Sequence, residues 1–158
     1  MNGLFCDSVK FTLGKDLVAD TTAETTSAVA DMAGFDEVTF VVKFGDVDAA
    51  AVITFAVKEN TASSVSSPTP TAVALDTVSA GTLTSGNLVF TEASGNMDDK
   101  IVLITVNRSK ITKQYIFLSI TCTVESYEID WIGILQTHPR TLPVTQSSDV
   151  IAVCRGHG

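Results

Sequence analysis

The residues able to do chemistry are few and widely spaced. His138 and Arg140 stand together in Leu135-Gln-Thr-His-Pro-Arg-Thr-Leu-Pro-Val-Thr-Gln146. An imidazole titrating near neutrality is the usual general base, and a nearby guanidinium can hold an anion. A base also needs a nucleophile and an orienting partner, and the chain has no Gly-x-Ser-x-Gly elbow. A lone His before Pro therefore reads as a packing or hydrogen-bonding residue. Asp46 and Asp48 have the oxygen ligands a calcium loop needs, but the EF-hand spacing is absent and turn formation explains both. Asp98-Asp99 has the same turn reading. Glu125, Glu128 and Asp130 are acids of the kind glycoside hydrolysis uses, where the carboxyl separation decides; they read instead as a solvated strand face. Cys6, Cys122 and Cys154 show no Cys-x-x-Cys spacing and no histidines at zinc-ligand intervals, so they read as thiols made in a reducing compartment. No metal, no cofactor and no enzymatic activity are expected.

Composition narrows the partners. The net charge of −8 disfavours a nucleic-acid face, because affinity for phosphates depends on clustered Lys and Arg. Lys100, Arg108, Lys110 and Lys113 gather loosely and read as a solvated strand and loop face. No run approaches the ~20 apolar residues of a membrane span, and the first residues lack the basic and apolar regions of a signal peptide. Neither nucleic acid nor membrane is an expected partner, and synthesis in the cytoplasm is expected.

The elements that must position these residues announce themselves by alternation. In Val38-Thr-Phe-Val-Val-Lys-Phe44, Val38, Phe40, Val42 and Phe44 share one face, while Thr39, Val41 and Lys43 share the other. In the run from Ala51 to Glu59, Ala51, Ile53, Phe55 and Val57 form the apolar face, and the two strands read as a hairpin about Gly45-Asp-Val-Asp48. Further strands are expected at 8–13, 72–78, 87–92, 100–106, 115–124, 127–137 and 149–154, about nine in all, at the spacing of a sandwich or jelly roll. Strands flanking the polar turns at 94–99 and 107–110 are expected to pair antiparallel. Residues 60–71, with Ser-Ser-Val-Ser-Ser-Pro-Thr-Pro inside, read as an exposed loop. Only 22–32 has any helical character, and its threonines weigh against it.

The expectation is an all-β single domain, an antiparallel, jelly-roll-like β-sandwich with extended termini. Residues 1–33 supply an N-terminal arm and first strands, 34–137 the sandwich core, and 138–158 a C-terminal arm and last strand. On the strand beginning at Tyr127, strict alternation puts Tyr127, Ile129, Trp131 and Leu135 in the core. Glu128, Asp130, Ile132 and Ile134 then fall on the other side, polar first and apolar later, as at a subunit contact. Pro139 and Pro143 remove two N–H donors and favour departure from the sheet near His138. The expected inter-subunit contact is Ile132, Ile134, His138, Pro139, Arg140, Leu142 and Pro143.

Three segments resemble the decoration, or cement, proteins of tailed-bacteriophage heads. A strand led by Gly34-Phe-Asp36 precedes a hairpin; Asn107-Arg-Ser-Lys110 precedes the Tyr115-Ile116 strand; and the strand from Gly133 ends in His138-Pro-Arg140 before Pro143-Val144. The similarity spans residues 22–144 and departs from the pattern at the 60–71 loop and the 147–158 tail. The resemblance implies a structural virion protein on the outer capsid surface. It implies the major capsid protein as partner and a homo-oligomer, with a trimer favoured, and it transfers no individual functional residue. The alternatives are a tail-associated or carbohydrate-binding β-sandwich virion protein, which needs an exposed aromatic cluster, and a hydrolase, which needs a clustered His and acid.

Overall fold

The computed structural model describes residues 8–93, 95–140, 144–148 and 150. The strands are, in chain order, β1 (Lys10–Lys15), β2 (Val18–Thr21), β3 (Thr25–Thr26), β4 (Ala30–Asp31), β5 (Phe35–Val47), β6 (Val52–Asn60), β7 (Thr71–Val73), β8 (Thr82–Thr84), β9 (Asn87–Thr91), β10 (Ile101–Asn107), β11 (Tyr115–Cys122) and β12 (Tyr127–Pro139). One sheet runs β1-β12-β5-β10, with β2 also on β12. The second runs β3-β11-β6-β9-β8, with β4 on β11 and β7 on β6. All the pairings are antiparallel, and the principal strands wrap in jelly-roll order.

The predicted faces of β5 and β6 are correct, and the predicted hairpin is not. Val38, Phe40, Val42 and Phe44 are fully buried, as are Ala51, Ile53, Phe55 and Val57. They face each other from different sheets, with Phe44 edge-on to Phe55 at 5.9 Å between ring centres. Two short-looped strands, each with one wholly apolar face, can bury those faces against each other only by crossing the sandwich. The turns after β9 and after β10 also cross between sheets, so the strands they join do not pair.

Other boundaries moved for local reasons. Residues 22–32 hold β3 and β4, both paired with β11, and Tyr127 helps to seat that segment: its buried hydroxyl bonds Ala23 O, Thr25 Oγ1 and Ile120 O. β7 stops at Val73, and residues 74–80 continue as coil. The 61–70 loop is irregular as expected, and its base is held by buried Asn60, whose Nδ2 donates to Ser64 O and Pro68 O. The strand expected at 149–154 lies outside the described residues except for Val150, which is not in a strand, as do Cys6, Cys154 and His157.

β12 carries the main correction. Its register against β5 shifts between Ile129 and Trp131, where two residues of β12 oppose the single step from Phe44 to Lys43. A β-bulge of this kind inverts the facing of everything downstream. Tyr127 and Ile129 are buried before it; Ile132, Ile134 and Gln136 are buried after it. Trp131, expected in the core, lies half-buried on the outer side. Ile132 and Ile134, expected at a subunit contact, are fully enclosed in the core.

Candidate interaction surface

With the bulge turning Trp131 and Leu135 outward, the outer face of the β1-β12-β5-β10 sheet carries large apolar side chains from all four strands. Ladder partners set them in three rows. Ile101, Lys43 and Trp131 form one; Leu103, Val41, Gly133 and Leu13 the next; Thr105, Thr39, Leu135 and Phe11 the third. Ile101 is 55% exposed, Leu103 64% and Leu13 39%. The outer face of an antiparallel sheet is ordinarily polar, so this face stands apart.

Its chemistry is that of a dry contact with one neutralised cation. Lys43 Nζ lies 2.8 Å from Asp99 Oδ1 and 2.9 Å from Asp130 Oδ2. The hydrogen bonds to Asp99 and then Asp130 hold the ammonium above its usual pKa, and the Asp99 carboxyl is correspondingly lowered. Gly133 sits beneath two rings, because a Cβ there would stand 3.1 Å from both Phe11 and Trp131. A side chain at this position would displace them.

The sheet has two unlike edges. On β1, Phe11 N–H donates to Gln146 Oε1 at 3.0 Å and Gln146 Nε2 donates to Val9 O at 2.6 Å, so the tail segment covers that edge. On the other side, β10 pairs with β5 alone among the described residues. Ile101-Val-Leu-Ile-Thr-Val-Asn107 has neither Lys nor Pro, the residues that usually discourage an edge from adding another strand. Beside it opens a cleft of about 670 Å³, walled by residues 101–105 and by Leu75, Val78, Leu88 and Phe90.

The His138 region is a separate place. His138 is 72% exposed, with Nδ1 3.3 Å from Thr137 Oγ1 and 3.9 Å from Glu37 Oε1. The Thr137 hydroxyl bonds Glu37 at 3.0 Å, and Arg140 pairs with Asp36 at 3.2 Å. These contacts tie the end of β12 back to β5. Pro139 is still in register with Phe35, and Arg140 N–H donates to Gly34 O at 2.9 Å, so the chain does not leave the sheet at His138. Thr137 and Pro139 keep an unbroken register with Glu37 and Phe35, although His138 between them is in left-handed backbone (φ +52°). His138, Pro139 and Arg140 remain accessible at one end of the sheet; Leu142 and Pro143 lie outside the described residues.

Four of the acids singled out in the sequence, Asp48, Asp98, Asp99 and Asp130, bind backbone or neighbouring side chains. Asp48 Oδ2 accepts from the Ser126 hydroxyl, Asp98 Oδ1 accepts from Val47 N–H at 3.0 Å, and Asp130 pairs with Lys43. The Cys122 thiol is free and donates to Val124 O. Among the described residues, no group of three or more His, Cys, Asp or Glu is placed to hold a metal ion.

The outer-face residues missed in the sequence had one visible signal. Ile101-Val-Leu-Ile104 is apolar in both phases of the alternation, which marks a strand needing cover on both faces. Comparison with known proteins adds no assignment, since neither a known family nor a curated protein matches this chain.

Proposed function

We propose that this protein is a structural virion protein that decorates the outer surface of a bacteriophage head, binds the major capsid protein and stabilises contacts between capsomers. In this reading it is not an enzyme, and it works as a homo-oligomer, with a trimer favoured. The observation that carries the reading is the apolar outer face ending in exposed Ile101 and Leu103. An exposed apolar patch marks a surface meant for another macromolecule. The resemblance of three segments to cement proteins supplies the kind of partner, and repeated weak contacts from one oligomer gain by effective concentration. The test is co-sedimentation of purified protein with expanded empty capsids, together with the melting temperature of those capsids. Wild type is expected to pellet and to raise the melting temperature. Leu103→Glu is expected to reduce pelleting at least about tenfold, the equivalent of losing ~1.4 kcal/mol of binding. Failure of wild type to bind any shell defeats the reading.

Phe11 and Trp131 over Gly133 favour a second reading, a carbohydrate-binding virion protein, because paired rings on a sheet surface suit stacking against a sugar. It predicts retention on glycans that Trp131→Ala abolishes while the melting curve stays cooperative.

A further inference from the structure

We propose that the cleft beside β10 receives residues 151–154 of a second copy of this chain as an added strand. This rests on the oligomeric part of the proposed function and not on shell binding. The cleft is bounded by a sheet edge on one side and by the 75–80 coil on the other. Leu75 N–H donates to Gly86 O at 2.8 Å, anchoring that coil to the opposite sheet, and the Asp76–Lys110 ion pair links it to the turn that follows β10. Such a groove admits a single extended segment rather than the edge of another globular sheet. None of its lining residues is charged. An occupant of matching chemistry is therefore apolar, β-branched and free of charge over four or five residues.

Ile151-Ala-Val-Cys154 has this character, with Ile151 and Val153 on one side of a strand and the smaller Ala152 and Cys154 on the other. The larger pair is assigned to the cleft, facing Val78, Leu88 and Phe90. Residues 150–158 carry Arg155 and His157 and no acid, whereas the whole chain has a net charge of −8, so approach to a second copy is electrostatically favoured.

Donation runs between copies because of where the described tail lies. Gln146 is fixed at β1, and Val150 N–H bonds Ser147 O, which turns the chain back. β12 and β5 separate β1 from β10, so the two edges are about 14 Å apart and face opposite ways. A four-residue run beginning on the β1 side does not lie along its own β10. Head-to-tail donation closes into a ring if the rotation permits.

The experiment is mass measurement by light scattering on the full chain, on a chain lacking 151–158, and on Val78→Asp, which places a charge in the cleft wall away from the outer face. Wild type is expected to be oligomeric. Each variant alone is expected to fall to the mass of one chain while keeping the wild-type circular dichroism and melting curve. Mixing the two variants is expected to give a one-to-one complex, since one keeps the cleft and the other the donor segment. A monomeric wild type, or a truncated chain of unchanged mass, overturns the proposal. So does a mixture that stays monomeric. Should Val78→Asp misfold, Ser79→Asp takes its place in the mixture. Shell co-sedimentation of the wild type tests the decoration reading separately: a monomeric wild type that still pellets with capsids overturns this proposal and leaves shell binding standing.

Discussion

At the scale of single residues, buried polar groups act here as ties between segments. Glu59 is nearly enclosed, and its carboxylate accepts from Thr112 N–H at 2.7 Å, Thr112 Oγ1 at 2.6 Å, Lys113 N–H at 3.1 Å and Thr71 Oγ1 at 3.3 Å. Burial by itself raises the carboxyl pKa, but the hydrogen bonds from Thr112, Lys113 and Thr71 together outweigh it and lower the pKa. A lowered folded-state value means stability that is fully present above the ordinary Glu range of about 4.3 and lost as pH falls through the lower folded value. Glu59→Gln turns an amide toward several N–H and O–H donors. It is expected to cost about 1–3 kcal/mol at neutral pH. Urea melts from pH 7 down to pH 3 check the sign: the gap between wild type and variant narrows toward the acid end. The sequence showed Glu59 merely as the last residue of a strand, because its donors arrive from residues 71 and 112–113.

At the scale of the element, β12 shows how one inserted residue decides which side chains meet solvent. Strict alternation from Tyr127 assigned Trp131 inward and Ile132 and Ile134 outward; the bulge reverses all three. Nothing in Tyr127-Glu-Ile-Asp-Trp-Ile-Gly-Ile-Leu135 marks the inversion locally, since both phases are apolar after Asp130. The choice is settled by β5, where Val42 and Phe40 stand opposite Ile132 and Ile134. Ile132→Ala is therefore expected to lose about 2–5 kcal/mol, as for a core cavity, and Trp131→Ala the smaller amount. Urea midpoints that rank the two the other way would contradict the bulge. By the same logic β10, with two apolar phases, fills the core with Ile104 and Val106 and offers Ile101 and Leu103 outward.

At the scale of the whole molecule, stability resides in the contact between sheets. Phe44 lies edge-on to Phe55 at 5.9 Å and meets Tyr127 at 6.4 Å, so rings from β5, β6 and β12 lock the two layers. In a double-mutant cycle, Phe44→Leu and Phe55→Leu are expected to be coupled by about 0.5–1.5 kcal/mol. Additive effects in chemical denaturation would remove that contact from the account. Alternation along the chain specifies an all-β fold, the places of the longer strands and the core faces of β5 and β6, because a period of two is a local property; it missed β2, β3, β4 and β8. Long-range packing sets β5 and β6 opposite each other across the sandwich and, among the described residues, leaves β10 paired with β5 alone beside a cleft. It also decides that Trp131 faces out while Ile132 and Ile134 face in. Alternation reports that a strand has two faces; which neighbour each face meets depends on strands far away in sequence, and a single bulge exchanges the answers.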